Sequence, residues 1–332
     1  MSPAREGRLP APLDLPEESG ASPTPAAAGP RVPFFAQLET QAQQHQQALQ
    51  AQRRADRLEH IKRIQEMRGS KVVTYYSVDT LEHDHTVLLY ELLRMIGPQD
   101  RLDLFLRSPG GFADAAFKMA GYCRDFANEH FAALIPHDAK SAATLLSLGA
   151  DELVMSDPSE IGPIDPRIVV RDNYGRSVQV SATSVKDALE LLETLIGDSP
   201  ERSLKYMPLI ERLNLDVLGE YKRALESSKQ YAEELLRSGK LLKDRTAAKA
   251  KRLAKNLAEG YYSHGYPIGP ATARDKLDLE VTYCRGTAEL DQLWTAIWQL
   301  HNLYDVTIRE AGEPVTIFET EEAILMWQYP DA

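Results

Sequence analysis

Short apolar segments alternate with helical segments along residues 71–148, and this alternation limits the folds that the chain can adopt. The apolar segments have the length of buried strands, whereas the segments between them repeat apolar residues at helical spacing. The predicted strands are residues 71–77, 102–107 and 131–136, and the predicted helices are residues 81–96, 112–126 and 141–148. A repeated strand–helix order implies right-handed crossovers. The sequence therefore predicts an α/β fold with a mostly parallel sheet and flanking helices.

The turns after the second and third predicted strands carry residues suited to acyl transfer. Pro109 lacks an N–H, whereas Gly110 and Gly111 can adopt positive φ at little steric cost, so this turn can point N–H groups outward. Ser141 lies where the third strand leads into a helix, and the positive end of the helix dipole stabilises negative charge there. Because parallel strands end at one edge of a sheet, we expect a serine nucleophile to face an oxyanion hole at that edge.

Each of these features also has an ordinary structural explanation. Residues 108–111, with the sequence Ser-Pro-Gly-Gly, would suit any tight turn between a strand and a helix. Ser141 could simply cap the helix that follows it. A non-catalytic scaffold of the same fold therefore remains an alternative.

Several segments, taken in this order and spacing, resemble the Clp-fold serine peptidases, specifically the serine dehydrogenase proteinases, which are relatives of signal peptide peptidase A. The segments are residues 108–111, 139–144, 150–155 and 162–166, together with a weaker match at residues 264–281 that resembles a C-terminal return strand. The resemblance covers roughly residues 70–285. It implies a ClpP/crotonase-like fold and a serine endopeptidase that hydrolyses peptides or unfolded proteins through an acyl-enzyme.

The resemblance also implies roles for individual residues. Ser141 falls at the position of the nucleophile. The backbone N–H groups of Gly110 and Ala142 fall where the family builds its oxyanion hole, with Gly111 beside them. This chemistry requires no metal or nucleotide, so we expect no cofactor.

The general base is the least determined part of the resemblance. The Clp protease proteolytic subunit uses a histidine about two dozen residues after its serine, but the similar residues 159–166 contain none. The signal peptide peptidase branch uses a lysine some forty to fifty residues after the serine, near a helix start, and Lys186 lies forty-five residues after Ser141. Such a lysine needs a pKa lowered by burial. We therefore expect a Ser141–Lys186 dyad.

Other residues remain candidates for the base, since Lys186 could be an ordinary solvated helix lysine. The side chain of Lys140 is expected to diverge from its neighbour Ser141. The remaining substitutes are Lys118, Lys205, His137 and His264. Asp165 could orient a catalytic partner, or it could belong to a rigid Gly-Pro-Ile-Asp-Pro turn.

A second alternative comes from the crotonase-type enzymes, which share the fold and hold a thioester enolate with a similar pair of amides. An acyl-CoA enzyme is therefore possible on fold alone. A hydroxyl at the helix start, as at Ser141, serves covalent catalysis and is unnecessary for enolate chemistry. The sequence thus favours a peptidase.

Composition limits the ligands and the cellular compartment that are expected for this chain. A formal net charge of −11 argues against general nucleic-acid binding, because phosphate contacts need a basic surface. Cys123 and Cys284 form no disulfide framework or metal-ligand spacing, which indicates a reducing compartment. We expect no membrane span and no secretory signal, and hence a cytoplasmic enzyme with peptide or protein substrates.

The sequence predicts five segments along the chain. They are a disordered Pro/Ala-rich tail (residues 1–33), a long helix (34–69), a catalytic α/β core (70–183), a helical segment (184–260) and a C-terminal segment that completes the core (261–332). The long helix is expected to pack on a neighbouring subunit or another partner. We expect the protein to form a homo-oligomer.

Overall fold

The computed structural model describes residues 34–171, 176–197, 200–210, 215–244, 246–312 and 315–328. The predicted disordered tail, residues 1–33, lies outside the described residues. The chain divides into two compact units, Met1–Gln50 and Ala51–Ala332. In the first unit the described residues are helical, and they form the beginning of a helix that continues into the second unit.

The second unit contains an alternation of strands and helices close to the predicted one. The helices are α1 (Phe34–Arg68, shared with the first unit), α2 (Asp84–Ile96), α3 (Ala113–Asp125), α4 (Ala142–Leu148), α5 (Ala182–Ile196), α6 (Pro200–Ile210), α7 (Leu215–Ser238), α8 (Ala247–Glu259), α9 (Pro270–Asp275) and α10 (Ala288–Ala311). The strands are β1 (Lys71–Ser77), β2 (Gln99–Arg107), β3 (Ala127–Leu134), β4 (Asp138–Ala139), β5 (Glu152–Met155), β6 (Glu160–Ile161), β7 (Arg167–Arg171), β8 (Ser177–Ser181), β9 (Val281–Tyr283), β10 (Val315–Glu319) and β11 (Ile324–Gln328).

The main sheet is mostly parallel, which confirms the predicted fold class. Within the described residues its order is β11-β10-β1-β2-β3-β5-β9. Strands β1, β2, β3, β5 and β9 pair in parallel, whereas β10 and β11 join the edge of the sheet in antiparallel pairs. Strand β9 extends the opposite edge, so residues after 260 complete the same sheet.

Both faces of the sheet are buried because alternate side chains of each strand enter two different cores. In β2, Leu104 and Leu106 face a core that also contains residues of α2, α3, α4, α7 and α8. Phe105 faces the opposite core, which contains residues of α1 and α10. The strand segments therefore have apolar residues at successive positions, and apolar and polar residues do not alternate along them.

Buried ion pairs fix the end of α1 to this second core. Arg57 donates to the fully buried carboxylate of Glu319 at 2.7 Å, and Tyr304 donates to the same carboxylate at 3.0 Å. Arg68 pairs with the buried Asp103 and donates to Glu152 at 2.9 Å. Residues 51–68 of the long helix thus pack on the core of the same chain, and the predicted contact of this helix with a neighbouring subunit or another partner stays a prediction.

Two buried histidines should make the fold sensitive to mild acid. Burial lowers the pKa of His85 and of His301 to about 4, whereas both would titrate near pH 6.5 in an unfolded chain. The unfolded chain then binds more protons, so stability is lost as the pH falls from about 6.5 towards 4. We expect the free energy of unfolding to be about 1–2 kcal/mol lower per histidine at pH 5 than at pH 7.

Urea unfolding at the two pH values measures this difference. The variant His301→Gln removes one titrating group, so the loss between pH 7 and pH 5 should shrink by about one histidine's share. An unchanged loss in that variant would contradict the assignment of His301.

Candidate active site

A short backbone ladder joins the segments that carry the candidate residues. Ser108, directly after β2, bridges in parallel to Ala139 of β4, and Ala139 pairs in parallel with Ile161 of β6. Ile161 in turn exchanges both backbone hydrogen bonds with Ile268, in an antiparallel bridge. The ladder lies beyond the carboxyl end of β2, the edge of the sheet where the sequence placed the site.

The first step of the ladder is reinforced by an ion pair. Ser108 N–H donates to Asp138 O, and Lys140 N–H donates to Ser108 O, each at 3.0 Å. The Arg107 guanidinium also donates to the Asp138 carboxylate at 3.0 Å. These contacts hold the glycine turn beside the turn that carries Ser141. Sequence reasoning did not single out Arg107, whose role depends on the pairing of two separate strands.

Ser141 has a strained backbone at the start of α4. Its φ is 50° and its ψ is −116°, a conformation that lies outside the allowed regions for a residue with a side chain. Strain of this kind costs about 1–3 kcal/mol and persists only where the surroundings enforce it. The residue is half-buried, while Ala142 and the rest of α4 are buried. Ser141 provides no side-chain cap to the helix, so the capping explanation does not account for it.

Gly110 lies against the turn that carries Ser141, so the structure brings Gly110, Ser141 and Ala142 together. A methyl group added to Gly110 would lie 2.7 Å from Ser141 Cβ and 3.0 Å from the Ala142 nitrogen. It would also lie 2.6 Å from the carbonyl oxygen of Lys140. Gly110 has a φ of 98°, which a residue with a side chain rarely adopts. The close approach therefore requires glycine for two separate reasons.

The amides of the glycine turn are held in place by neighbouring groups. Leu81 N–H donates to Gly110 O at 2.7 Å, and Phe112 N–H donates to Leu81 O at 2.9 Å, which fixes Gly111 between them. Gly110 N–H donates to Ser108 Oγ at 3.1 Å, although the sequence suggested a bare amide. The Ala142 N–H lies in the first turn of α4, where no intrahelical acceptor is within reach.

Lys186 lies on the surface of α5 in an ion pair. Its ammonium group donates to Glu259 at 2.8 Å and lies 3.7 Å from Glu190, and its side chain is 46% exposed. The hydrogen bond that Lys186 donates to Glu259 raises the pKa of Lys186 above its ordinary value. A general base at neutral pH needs the opposite shift. Among the described residues, no hydrogen bond joins Ser141 to Lys186 or to His264.

A histidine–carboxylate pair lies at the same end of the ladder as Ser141. His264 Nδ1 is 2.7 Å from Asp165 Oδ1, and Asp165 is buried. Ser181 Oγ donates to the other carboxylate oxygen at 2.7 Å. Asp165 lies four residues after Ile161, and His264 lies four residues before its antiparallel partner Ile268.

The side chain of Lys140 contacts the segment that carries His264 and lies next to Ser141 in the chain. Its side chain pairs with Glu160 at 2.7 Å and its ammonium lies 3.4 Å from the carbonyl oxygens of Ile161 and Tyr266. Tyr266 is two residues from His264, so the histidine segment runs beside the residue that precedes Ser141. The sequence predicts His264 only as one of several substitute candidates for the general base. Its signal was the weak match at residues 264–281, together with Asp165 in the segment 162–166.

The other candidate bases have partners elsewhere. His137 Nδ1 is 2.7 Å from Asp138, and its ring stacks on the ring of His301. The Lys118 and Lys205 ammonium groups lie over the rings of Tyr122 and Tyr206 respectively.

The two cysteines are buried, and burial raises the pKa of each thiol to about 12. Both Cys123 and Cys284 are therefore protonated at neutral pH and unsuited to nucleophilic attack.

Neither a metal cluster nor a membrane span is found in the part of the chain that the structure describes. No three or more His, Cys, Asp or Glu side chains are grouped there so as to hold a metal ion. None of the helices described combines the length and the apolar character needed to cross a bilayer.

Comparison with known proteins places the chain in a family. The sequence model of the ClpP-like SDH-type serine proteinases matches residues 34–295, well over half of the chain. The protein therefore belongs to the ClpP-like SDH-type serine proteinase family, as the sequence resemblance suggested.

Two archaeal proteins and one solved structure are among its similar proteins. The uncharacterized proteins MJ1495 and MJ0137 of Methanocaldococcus jannaschii are 27% and 29% identical, over 68% and 75% of this chain and 71% and 73% of their own lengths. A mutant of the 1510-N membrane-bound stomatin-specific protease, in complex with a substrate peptide, is 14% identical with a TM-score of 0.38. That match covers 67% of this chain and 80% of the other.

Replacing Gly110 by alanine should disable the site without unfolding the protein. The added methyl group would meet backbone atoms of Lys140 at 2.6 Å, so the turn must move away from Ser141. We expect the rate at which a fluorophosphonate labels Ser141 to fall by about 100-fold or more, because an oxyanion donor is displaced.

The matched control is Gly121→Ala in α3, where an added methyl group meets nothing within 4 Å. That variant should label at the normal rate and gain about 0.5–1 kcal/mol of stability. Equal labelling rates in the two variants would show that Gly110 does not contribute to the site.

Proposed function

We propose that this protein is a serine endopeptidase that cleaves peptides or unfolded proteins, with Ser141 as nucleophile and the His264–Asp165 pair as its general base. Membership of the serine proteinase family supports the reaction class. The observation that carries the assignment is the 2.7 Å contact between His264 and a buried carboxylate, one end of a ladder whose other strands carry Ser141 and the glycine turn.

The chemistry of the base follows from its hydrogen bonds. Asp165 accepts the Nδ1–H of His264, which leaves the Nε2 lone pair free to accept the proton of Ser141 Oγ. The hydroxyl of Ser181 satisfies the second carboxylate oxygen and keeps the carboxylate in this orientation. The imidazolium formed on attack is stabilised by the adjacent carboxylate and then protonates the leaving amine.

The acyl-enzyme pathway also requires a site for the negative oxygen. Ser141 Oγ attacks the peptide carbonyl, and the carbonyl oxygen becomes an oxyanion held by the N–H groups of Ala142 and Gly110. The Gly110 N–H gives up its contact with Ser108 Oγ, because an oxyanion is a stronger acceptor than a neutral hydroxyl. Water, activated by the same histidine, then releases the acyl group.

The predicted Ser141–Lys186 dyad stays open as the competing assignment. Its weakness is electrostatic: a lysine that is half-exposed and paired with Glu259 is protonated at neutral pH. The predicted self-association and cytoplasmic location also stay predictions.

Peptide hydrolysis by single variants separates the two assignments. Ser141→Ala should lose all activity above background. His264→Gln and Asp165→Asn should each lose about 100- to 10,000-fold in kcat, because the base is absent or held in the wrong tautomer. Each variant is compared with wild type for peptide cleavage and for its melting temperature.

A suitable control is His130→Gln, since His130 lies on β3 and contacts Glu152 instead of the ladder. It should keep full activity. Activity that survives in folded His264→Gln but disappears in Lys186→Met would establish the lysine dyad and reject the histidine. No hydrolysis by the wild-type protein on any unfolded substrate would count against the peptidase itself.

A further inference from the structure

Glu259, at the end of α8, joins three helices through one carboxylate. It accepts a hydrogen bond from Lys186 of α5 and another from Lys229 of α7, each at 2.8 Å. Its own side chain is only 11% exposed. We call these three residues the ion bridge.

The ion bridge connects the two chain segments that deliver the histidine–carboxylate pair. Lys186 lies five residues after Ser181, which caps α5 and donates to Asp165. Glu259 lies five residues before His264. A fixed separation between Lys186 and Glu259 therefore limits how far Asp165 and His264 can move apart.

The same helices meet again at the residue next to Asp165. Ile164 N–H donates to the carbonyl oxygen of Leu257 in α8 at 3.0 Å. The buried hydroxyl of Ser228 in α7 donates to the carbonyl oxygen of Ile164 at 2.6 Å. Leu257 and Ser228 are close neighbours of Glu259 and Lys229 in their helices, so the ion bridge and the backbone of residue 164 form one connected support.

We propose that Lys186, Glu259 and Lys229 are positioning residues that hold His264 against Asp165 for catalysis. This proposal rests on the proposed function, since it assigns the histidine as the base. It gives Lys186 a role that depends on its positive charge and not on its ability to accept a proton.

The charges of the ion bridge suit a permanent support. Burial opposes ionisation of Glu259, but the hydrogen bonds from Lys186 and Lys229 outweigh it and lower its pKa. The hydrogen bond that Lys186 donates to Glu259 raises the pKa of Lys186. All three groups therefore remain charged around neutral pH, so the bridge persists there. Partly exposed ion pairs add little to global stability, so their loss should act on geometry more than on folding.

The test compares Lys186→Met, Lys186→Arg and Glu259→Gln with wild type. The control is Lys222→Met, an exposed lysine of α7 that lines the same surface groove as Lys186. Peptide hydrolysis gives kcat and KM, and the melting temperature checks folding. NMR of the hydrogen-bonded Nδ1–H proton of His264 reports its contact with Asp165 without any turnover.

A positioning role predicts a specific pattern. Lys186→Met and Glu259→Gln should lower kcat by roughly tenfold with little change in KM, because small displacements of a catalytic group reduce rate steeply. The His264 Nδ1–H signal should weaken in both variants. Lys186→Arg, which keeps the charge but cannot serve as a base, should retain at least about half of wild-type kcat. Lys222→Met should match wild type.

Two results would overturn the positioning role without contradicting the proposed peptidase activity. Folded Lys186→Arg as inactive as Lys186→Met would make the lysine the base. Kinetics and a His264 signal in Glu259→Gln equal to those of Lys222→Met would show that the ion bridge positions nothing. If wild type cleaves no peptide, the proposed function fails instead, and an unchanged His264 signal in Glu259→Gln would then also reject the support role.

Discussion

The candidate site depends on one backbone ladder, from Ser108 through Ala139 and Ile161 to Ile268. Each of these residues lies two to four positions along the chain from a candidate group. Backbone hydrogen bonds at 2.9–3.0 Å fix the two ends of this arrangement. Since the main-chain pairing sets the register, a shift at any step would separate the glycine turn, the serine and the histidine–carboxylate pair.

The buried sheet makes that ladder possible and supports the strain at Ser141. Strand β2 has apolar side chains in both cores, so its end cannot move without disturbing each of them. Helix α4 is buried along its whole length, which keeps the residue before it in an unfavourable conformation. The Arg57–Glu319 and Arg68–Asp103 pairs anchor α1 to the opposite face. The free-energy cost of the strained backbone at Ser141 is thus offset by packing that extends well beyond the candidate site.

The candidate bases show how spacing along the sequence and environment in the fold can disagree. Lys186 has the chain separation of a lysine dyad, but separation along the chain carries no information on burial. In the fold its ammonium group meets Glu259, and the pairing raises the pKa. His264 is more than one hundred residues from Ser141, yet the ladder brings its segment next to Lys140. Asp165, a turn residue by sequence, becomes the partner of that histidine.

The sequence by itself determined the sheet, the glycine turn and the position of the serine before a helix, because apolar spacing and glycine freedom are local properties of consecutive residues. It also identified the family through the order of its segments. Only the tertiary structure decided that the end of α1 packs on the core of its own chain. The same holds for the hydrogen bond from the Gly110 N–H to Ser108 Oγ and for the contact between Asp165 and His264. Those contacts depend on strand register and on which charges share a buried space, and both are set when distant segments pair.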